Sequence, residues 1–310
     1  MPRKPLPLRP GDPVAVVAPA SAPRDADRYR RGLDRLRTDY EVRSAYAPKA
    51  PHGYLSASDA HRARRVNAAI ADPDIRAIFC ARGGYGSLRL LSRLDMETAA
   101  GRSPLLLVGY SDITVLQWAF YRQMGWTSIS GPVVTEWALD DDRMLAPFQA
   151  LAGGESIAFT GPDDTSLQPL RPGRADGPLL AGNLSVLTRL LGTPYMPDLS
   201  GAILALEDVQ EPPYRLDRML AHLNLAGVLD DLGGAVIGDL SPAAPDDGAP
   251  TLSVERVLND YFGTRPYPVA TNLWYGHLHP RLSLPIGSRV ALRVTDADAT
   301  LQMTEPVVAD

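Results

Sequence analysis

The sequence predicts an α/β fold whose first half is a mostly parallel sheet covered by helices on both faces. Short apolar runs alternate there with segments of helical period, the arrangement that joins parallel strands through crossover helices. The runs are apolar throughout rather than at every second residue, as strands buried on both faces require. A length of 310 residues also exceeds an average single domain and allows two cores.

Each element carries its own signal. Val14-Ala15-Val16-Val17-Ala18 reads as a buried strand, and Arg24 to Arg37 as a helix with Tyr29, Leu33 and Leu36 on one face. Ser58 to Ala71 reads as a second helix, with Ser58 or Asp59 as its cap. Ala77-Ile78-Phe79-Cys80 is the next strand, Ser87 to Leu94 a helix, and Leu105 to Val108 a further strand. Residues 151–176 are rich in turn formers: Gly153-Gly154, Gly161-Pro162-Asp163-Asp164 and Arg171-Pro172-Gly173. They are expected to link a domain of residues 1–150 to one of residues 177–310.

In the second half Leu184 to Leu191 looks helical, and Ala202 to Leu206 looks like a buried strand. A helix opens at Pro213, which suits a first turn, and carries Leu216, Met219, Leu220 and Leu223 as its stripe up to a cap near Gly227. Ala235 to Gly238, Val269 to Thr271 and Arg289 to Val294 are further strand candidates.

Composition narrows the function classes. A net charge of -5 argues against a dedicated nucleic-acid binder, which needs clustered Lys and Arg. The single cysteine, Cys80, excludes an internal disulfide and any cysteine-based zinc cluster. The first ten residues are basic but broken by prolines, unlike a signal peptide, and no apolar run approaches the roughly 20 residues of a membrane span. A cytoplasmic protein is expected.

Leu105-Leu106-Leu107-Val108-Gly109-Tyr110-Ser111-Asp112-Ile113-Thr114 holds the most informative chemistry. An apolar strand stops at a serine, and a helical segment starts beside it. That geometry presents a hydroxyl at the lip of a sheet, near free backbone N–H groups that favour a developing anion. Nucleophile elbows use it, although Ile113 replaces the final glycine of G-x-S-x-G. Helix capping explains the same serine equally well.

A nucleophilic serine needs a base and an orienting acid. His61 and His222 sit in helical patterns and His52 in a polar loop, leaving His277 and His279, in a stretch bounded by Gly276 and Pro280. Spacing does not choose between them, and H-x-H without carboxylates is weak evidence for metal. Glu207 and Asp208 follow an apolar strand directly, where charge is costly unless partnered or in a cleft. Arg82-Gly83-Gly84-Tyr85-Gly86 lacks the pattern of a phosphate cradle. It serves as a tight turn or as a source of backbone N–H for an oxyanion hole.

Together these segments resemble the LD-carboxypeptidases, a serine peptidase family of murein tetrapeptide carboxypeptidases and microcin C self-immunity proteins. The matching runs are Gly11-Asp12 through Ala18-Pro19-Ala20-Ser21, the glycine turn with Arg89-Leu90-Leu91, and Gly109 to Thr114. They continue through Gly182-Asn183-Leu184, Gly192-Thr193-Pro194, Leu206 to Val209 with Pro213-Tyr214-Arg215, and end at Gly276-His277 and Leu284-Pro285-Ile286-Gly287.

The resemblance implies Ser111 as nucleophile, Glu207 as acid and His277 as base, with an oxyanion hole from the backbone of Asp112 and Gly84. It implies a Rossmann-like N-terminal domain, a smaller mixed α/β C-terminal domain, a homodimer, and a site between the domains. Ala181 and Ser130 depart from the pattern, where glycine and histidine are frequent, and both are expected to line the cleft.

The expected activity is a cofactor-free and metal-free removal of terminal D-alanine from murein tetrapeptide, with no nucleic-acid or membrane partner. Arg82 and Asn183 are the candidates for binding the substrate's terminal carboxylate. The alternative substrate is a peptidyl- or aminoacyl-nucleotide conjugate, for which Trp137 and Trp274 would offer an aromatic platform.

Overall fold

The computed structural model describes residues 2–48, 52–161, 165–241 and 250–309. Its first part runs β1 (Pro13–Val17), α1 (Ala26–Asp39), β2 (Glu41–Ser44), α2 (Asp59–Ala71), β3 (Ala77–Cys80) and α3 (Met96–Gly101). It continues through β4 (Leu106–Gly109), α4 (Thr114–Met124), β5 (Ser128–Ser130), α5 (Val134–Trp137) and α6 (Asp142–Gly153). Then come β6 (Gln168–Arg171), β7 (Gly173–Asn183), α7 (Leu184–Leu187), β8 (Ile203–Glu207), α8 (Pro213–Leu225) and β9 (Gly234–Ile237). The last elements are α9 (Val254–Phe262), β10 (Val269–Thr271), β11 (Leu284–Ile286), β12 (Arg289–Val294) and β13 (Ala299–Met303).

Two sheets result. The first has the order β11-β5-β4-β3-β1-β2, parallel except for β11. The second has the order β13-β12-β7-β8-β9-β10-β6; β7 to β10 are parallel, and the flanking β6, β12 and β13 pair antiparallel. The fold is thus the α/β arrangement expected, a parallel sheet followed by a mixed one. Its strands β1, β3, β4, β8 and β9 are buried almost throughout, which is why they read as unbroken apolar runs.

Local signals place the helices. Asp25 caps α1 by accepting from the N–H of Asp27 and Arg28, and the helix buries Tyr29, Leu33 and Leu36. Ser58 caps α2. Pro213 opens α8, whose Leu216, Met219, Leu220 and Leu223 are buried. The helix expected at Ser87–Leu94 is a 3-10 helix over Ser87–Arg93, entered from Gly86 and tied by Ser87 N–H to an Asp112 carboxylate oxygen at 2.8 Å.

Two features depart from the expectation. The stretch 151–176 holds β6 and the start of β7, because Gln168–Arg171 finds its backbone partners on β10, about a hundred residues away. Local propensity does not report such non-local pairing. Pro162, Asp163 and Asp164 of the expected turn lie outside the described residues. The other is β11, which leaves the second half of the chain to complete the first sheet along β5. Thr127 Oγ1 donating to Val307 O at 2.6 Å, and Ala309 N–H to Pro5 O at 2.7 Å, fasten the end of the chain to the same body. Among the described residues no helix is long and apolar enough to cross a membrane.

Candidate active site

Ser111 follows β4 directly and opens the 3-10 turn Ser111–Ile113 that leads into α4. Its φ is 63°, a left-handed conformation that a residue with a side chain adopts at a cost of order 1 kcal/mol or more. Such a bend lifts the hydroxyl off the sheet edge instead of letting it cap the helix, and no side-chain cap bond is made there. The glycine turn after β3 lies against it. A Cβ at Gly83 would stand 3.0 Å from Ser111 Cβ and 3.1 Å from Tyr110 O, so this approach requires glycine.

The acidic pair at the end of β8 divides because successive side chains point to opposite faces. Glu207 is 1% exposed, and its Oε2 lies 2.8 Å from His277 Nδ1. His277 Nε2 lies 3.2 Å from Ser111 Oγ. Gly276, at φ 136°, leaves the room: a Cβ there would come within 3.2 Å of both Glu207 Cβ and Oε2. Ser111, His277 and Glu207 therefore form one hydrogen-bonded line across the two sheets.

Asp208 instead accepts from Ser185 N–H at 2.7 Å, Asn183 Nδ2 at 3.1 Å and Val209 N–H at 2.9 Å, anchoring the start of α7. Burial pushes its carboxyl up to about 6, a rise that these hydrogen bonds restrain and the neighbouring Glu207 charge adds to.

Three residues that the sequence reading did not single out surround the histidine. The Tyr110 ring lies 5.2 Å from the His277 ring, and the Arg281 guanidinium carbon lies 3.3 Å from the centroid of Tyr110. Arg281 is 2% exposed; its two terminal nitrogens donate to Glu136 at 2.5 and 2.8 Å, and one also to Gly131 O at 2.9 Å. Tyr110 OH completes the group, 3.2 Å from Glu136 Oε1. No spacing rule links residues 110, 136 and 281; only the local tyrosine-serine pair was visible.

These charges compete at His277. Burial works against its protonated form, while the Glu207 hydrogen bond and charge favour it and Arg281 disfavours it; the balance lies above an ordinary imidazole. Burial raises the Asp112 carboxyl, which the Ser87 N–H partly offsets.

A cavity of about 350 Å³ opens onto Ser111 and His277, bordered also by Gly83, Gly84, Tyr110, Glu136 and the arginines 24, 28 and 82. Arg82 is thus at the cavity, its Nη1 held by Ala22 O at 2.9 Å. Asn183 is not among its walls: it is 3% exposed and caps α7 through Val186 N–H at 3.1 Å. Ala181 and Ser130 do not line it either, correcting the expectation for both. Each lies in a buried strand, where the Ala181 carbonyl takes Trp118 Nε1–H at 3.0 Å and Ser130 Oγ meets Tyr275 OH at 2.8 Å. His279 faces Asp141 at 3.4 Å, away from the serine line.

Comparison with known proteins adds the following. The LD-carboxypeptidase N-terminal domain matches residues 14–131, and the LD-carboxypeptidase C-terminal domain matches residues 176–292. A probable murein peptide carboxypeptidase of Bacillus subtilis (strain 168) is 35% identical over 303 residues, covering 96% of this chain and 94% of its own. The crystal structure of muramoyltetrapeptide carboxypeptidase from Oxalobacter formigenes matches with a TM-score of 0.81 at 31% identity, over 94% of this chain and 98% of that one. The microcin C7 self-immunity protein, in its inactive mutant apo state, shares the fold with a TM-score of 0.88 at 23% identity, over 99% of this chain and all of that one.

Proposed function

Because this chain belongs to the LD-carboxypeptidase family and is a serine-type carboxypeptidase, we propose that it removes the terminal D-alanine of murein tetrapeptide. The substrates for which the Bacillus and Oxalobacter relatives are named, murein peptide and muramoyltetrapeptide, support that choice. The observation that carries the mechanism is the line Ser111 Oγ, His277, Glu207 at the edge of a cavity.

His277 Nε2 takes the Ser111 proton as Oγ attacks the carbonyl of the diamino acid residue, and Nδ1–H stays on Glu207, which stabilises the imidazolium. The oxyanion is received by the backbone N–H of Asp112, in the turn that Ser111 opens, and of Gly84, which borders the same cavity. His277 then gives its proton to the departing D-alanine nitrogen, and water, activated by the same imidazole, resolves the acyl-enzyme. Arg82 is suited to the terminal carboxylate; Asn183 is engaged elsewhere. The reaction needs no metal or cofactor, and we place it in the cytoplasm, in a homodimer that sedimentation tests directly.

A nucleotide conjugate finds less support. Trp137, one of the two possible platforms, is fully buried among Tyr40, Phe79 and Phe148, and Trp274 borders a different cavity with Leu273 and Leu278.

Mass spectrometry of murein tetrapeptide incubated with the protein tests the reading. Tripeptide and free D-alanine are expected with the native chain and not with Ser111→Ala. Intact tetrapeptide after incubation with folded native protein would overturn the substrate assignment and turn the search to nucleotide conjugates.

A further inference from the structure

The cavity at Ser111 carries more positive charge than its own residues neutralise. Arg24, Arg28 and Arg82 all border it, brought together by two laced segments. Ser21 N–H donates to Gly83 O at 3.3 Å, and Tyr85 N–H to Ser21 Oγ at 3.2 Å, so the chain after β1 lies on the glycine turn after β3. Arg82 and Arg28 each give one nitrogen to a backbone carbonyl, of Ala22 at 2.9 Å and Thr135 at 2.8 Å. Among the described residues none of the three is in an ion pair.

Of the two carboxylates of the same walls, Glu136 holds Arg281, and Asp25, whose Oδ1 accepts from the N–H groups of Asp27 and Arg28, leaves one negative charge against three guanidinium groups. Three guanidinium groups with one carboxylate among them repel one another: burial and the Arg24 charge both weaken the hold of Arg82 on its proton. An anion between them relieves that repulsion, and the planar guanidinium fork matches a carboxylate.

We propose that Arg24, Arg28 and Arg82 form a subsite that grips the free C-terminal carboxylate of the peptide, and that this subsite restricts the enzyme to terminal residues. The inference rests on the peptidase reading above and deepens it. Position favours it as well as charge. In a leaving D-alanine the carboxylate is one carbon removed from the scissile nitrogen, so its receptor must stand close to the nucleophile. Arg82 immediately precedes Gly83, the residue packed on Ser111.

Binding to the Ser111→Ala protein tests this without turnover, using murein tetrapeptide and its C-terminal amide in calorimetry. The acid is expected to bind about 10- to 100-fold more tightly than the amide, the usual worth of charge-assisted hydrogen bonds. Adding Arg24→Gln, Arg28→Gln and Arg82→Gln together should erase that preference and leave amide binding within about threefold, since neutral contacts are kept. Arg24→Gln alone, exposed and with no partner to lose among the described residues, should reduce the preference with the fold intact. Equal binding of acid and amide by the Ser111→Ala protein, or a preference that survives all three substitutions, would overturn the subsite. A native enzyme that releases no D-alanine, beside a Ser111→Ala protein that prefers the acid, supports the subsite and sinks only the cleavage reading.

Discussion

Around Ser111 the chain is held by shape. A left-handed backbone, a glycine turn packed so closely that a Cβ on Gly83 would stand 3.0 Å from Ser111 Cβ, and the close of a buried strand define where the hydroxyl sits. Around His277 it is held by charge. Glu207 grips one nitrogen, Asp208 adds its field from the other side of the strand, and Arg281 opposes both from behind Tyr110. Ser111 and His277 lie 166 residues apart in the chain and meet where Nε2 comes 3.2 Å from Oγ. Shape fixes a position, whereas balanced charge fixes a proton affinity, so damage to each region should have a different signature.

The charged side breaks hardest. Glu207→Gln should lower kcat by roughly 10³–10⁴, the scale seen when a triad acid loses its charge. The fold should survive, because Glu207 Oε1 has no hydrogen-bond partner among the described residues to lose. Circular dichroism with steady-state kinetics checks both parts, and a fall below tenfold would show that the carboxylate charge is not needed.

Gly83→Ala attacks shape alone. The added methyl meets Ser111 Cβ and Tyr110 O and must displace the serine, which should cost about 10- to 100-fold in kcat, since misplacement by an ångström is that damaging. The pH profile of the remaining activity should keep its position, and a displaced profile would mean that the glycine turn also governs the base.

The smallest effect sharpens the comparison most. A double substitution, Arg281→Met with Glu136→Gln, removes the buried cation and its counter-charge together and leaves no lone carboxylate. The base works only when neutral, so kcat/KM falls as pH drops through the His277 pKa. Glu207 and Asp208 raise that pKa and Arg281 lowers it; loss of Arg281 should move the acid limb to higher pH while the plateau stays. An unmoved limb would reduce the Arg281 group to packing.

The elbow was legible because strand, serine and helix are consecutive, and strand β8 because its apolar run ends in acids. What could not be read locally was direction. Spacing left Glu207 and Asp208 equal, and the choice followed only from family resemblance; the structure then turns the first to His277 and the second to α7. Asn183, expected at the substrate, is taken up by capping α7, a local role that its place after an apolar strand also fits. Arg281, Glu136 and Tyr110 were invisible as a group because nothing but tertiary packing connects them. The pairing of β11 with β5 was hidden for the same reason, being a contact between distant segments.

That pairing has a consequence for how the protein comes into being. A ribosome making about 5–20 residues per second completes β5 and the Ser111 elbow several seconds before β11 or His277 exists. During that interval the nascent chain carries a serine without its base and a sheet whose β5 edge is still open, as liable to pair with a neighbour as any bare strand. Arrival of residues 277–286 closes the edge and supplies the imidazole almost together. Hydrolytic power is therefore withheld until residues 277–286 have been made, and a product truncated before them has the serine without its base and a β5 edge without its partner.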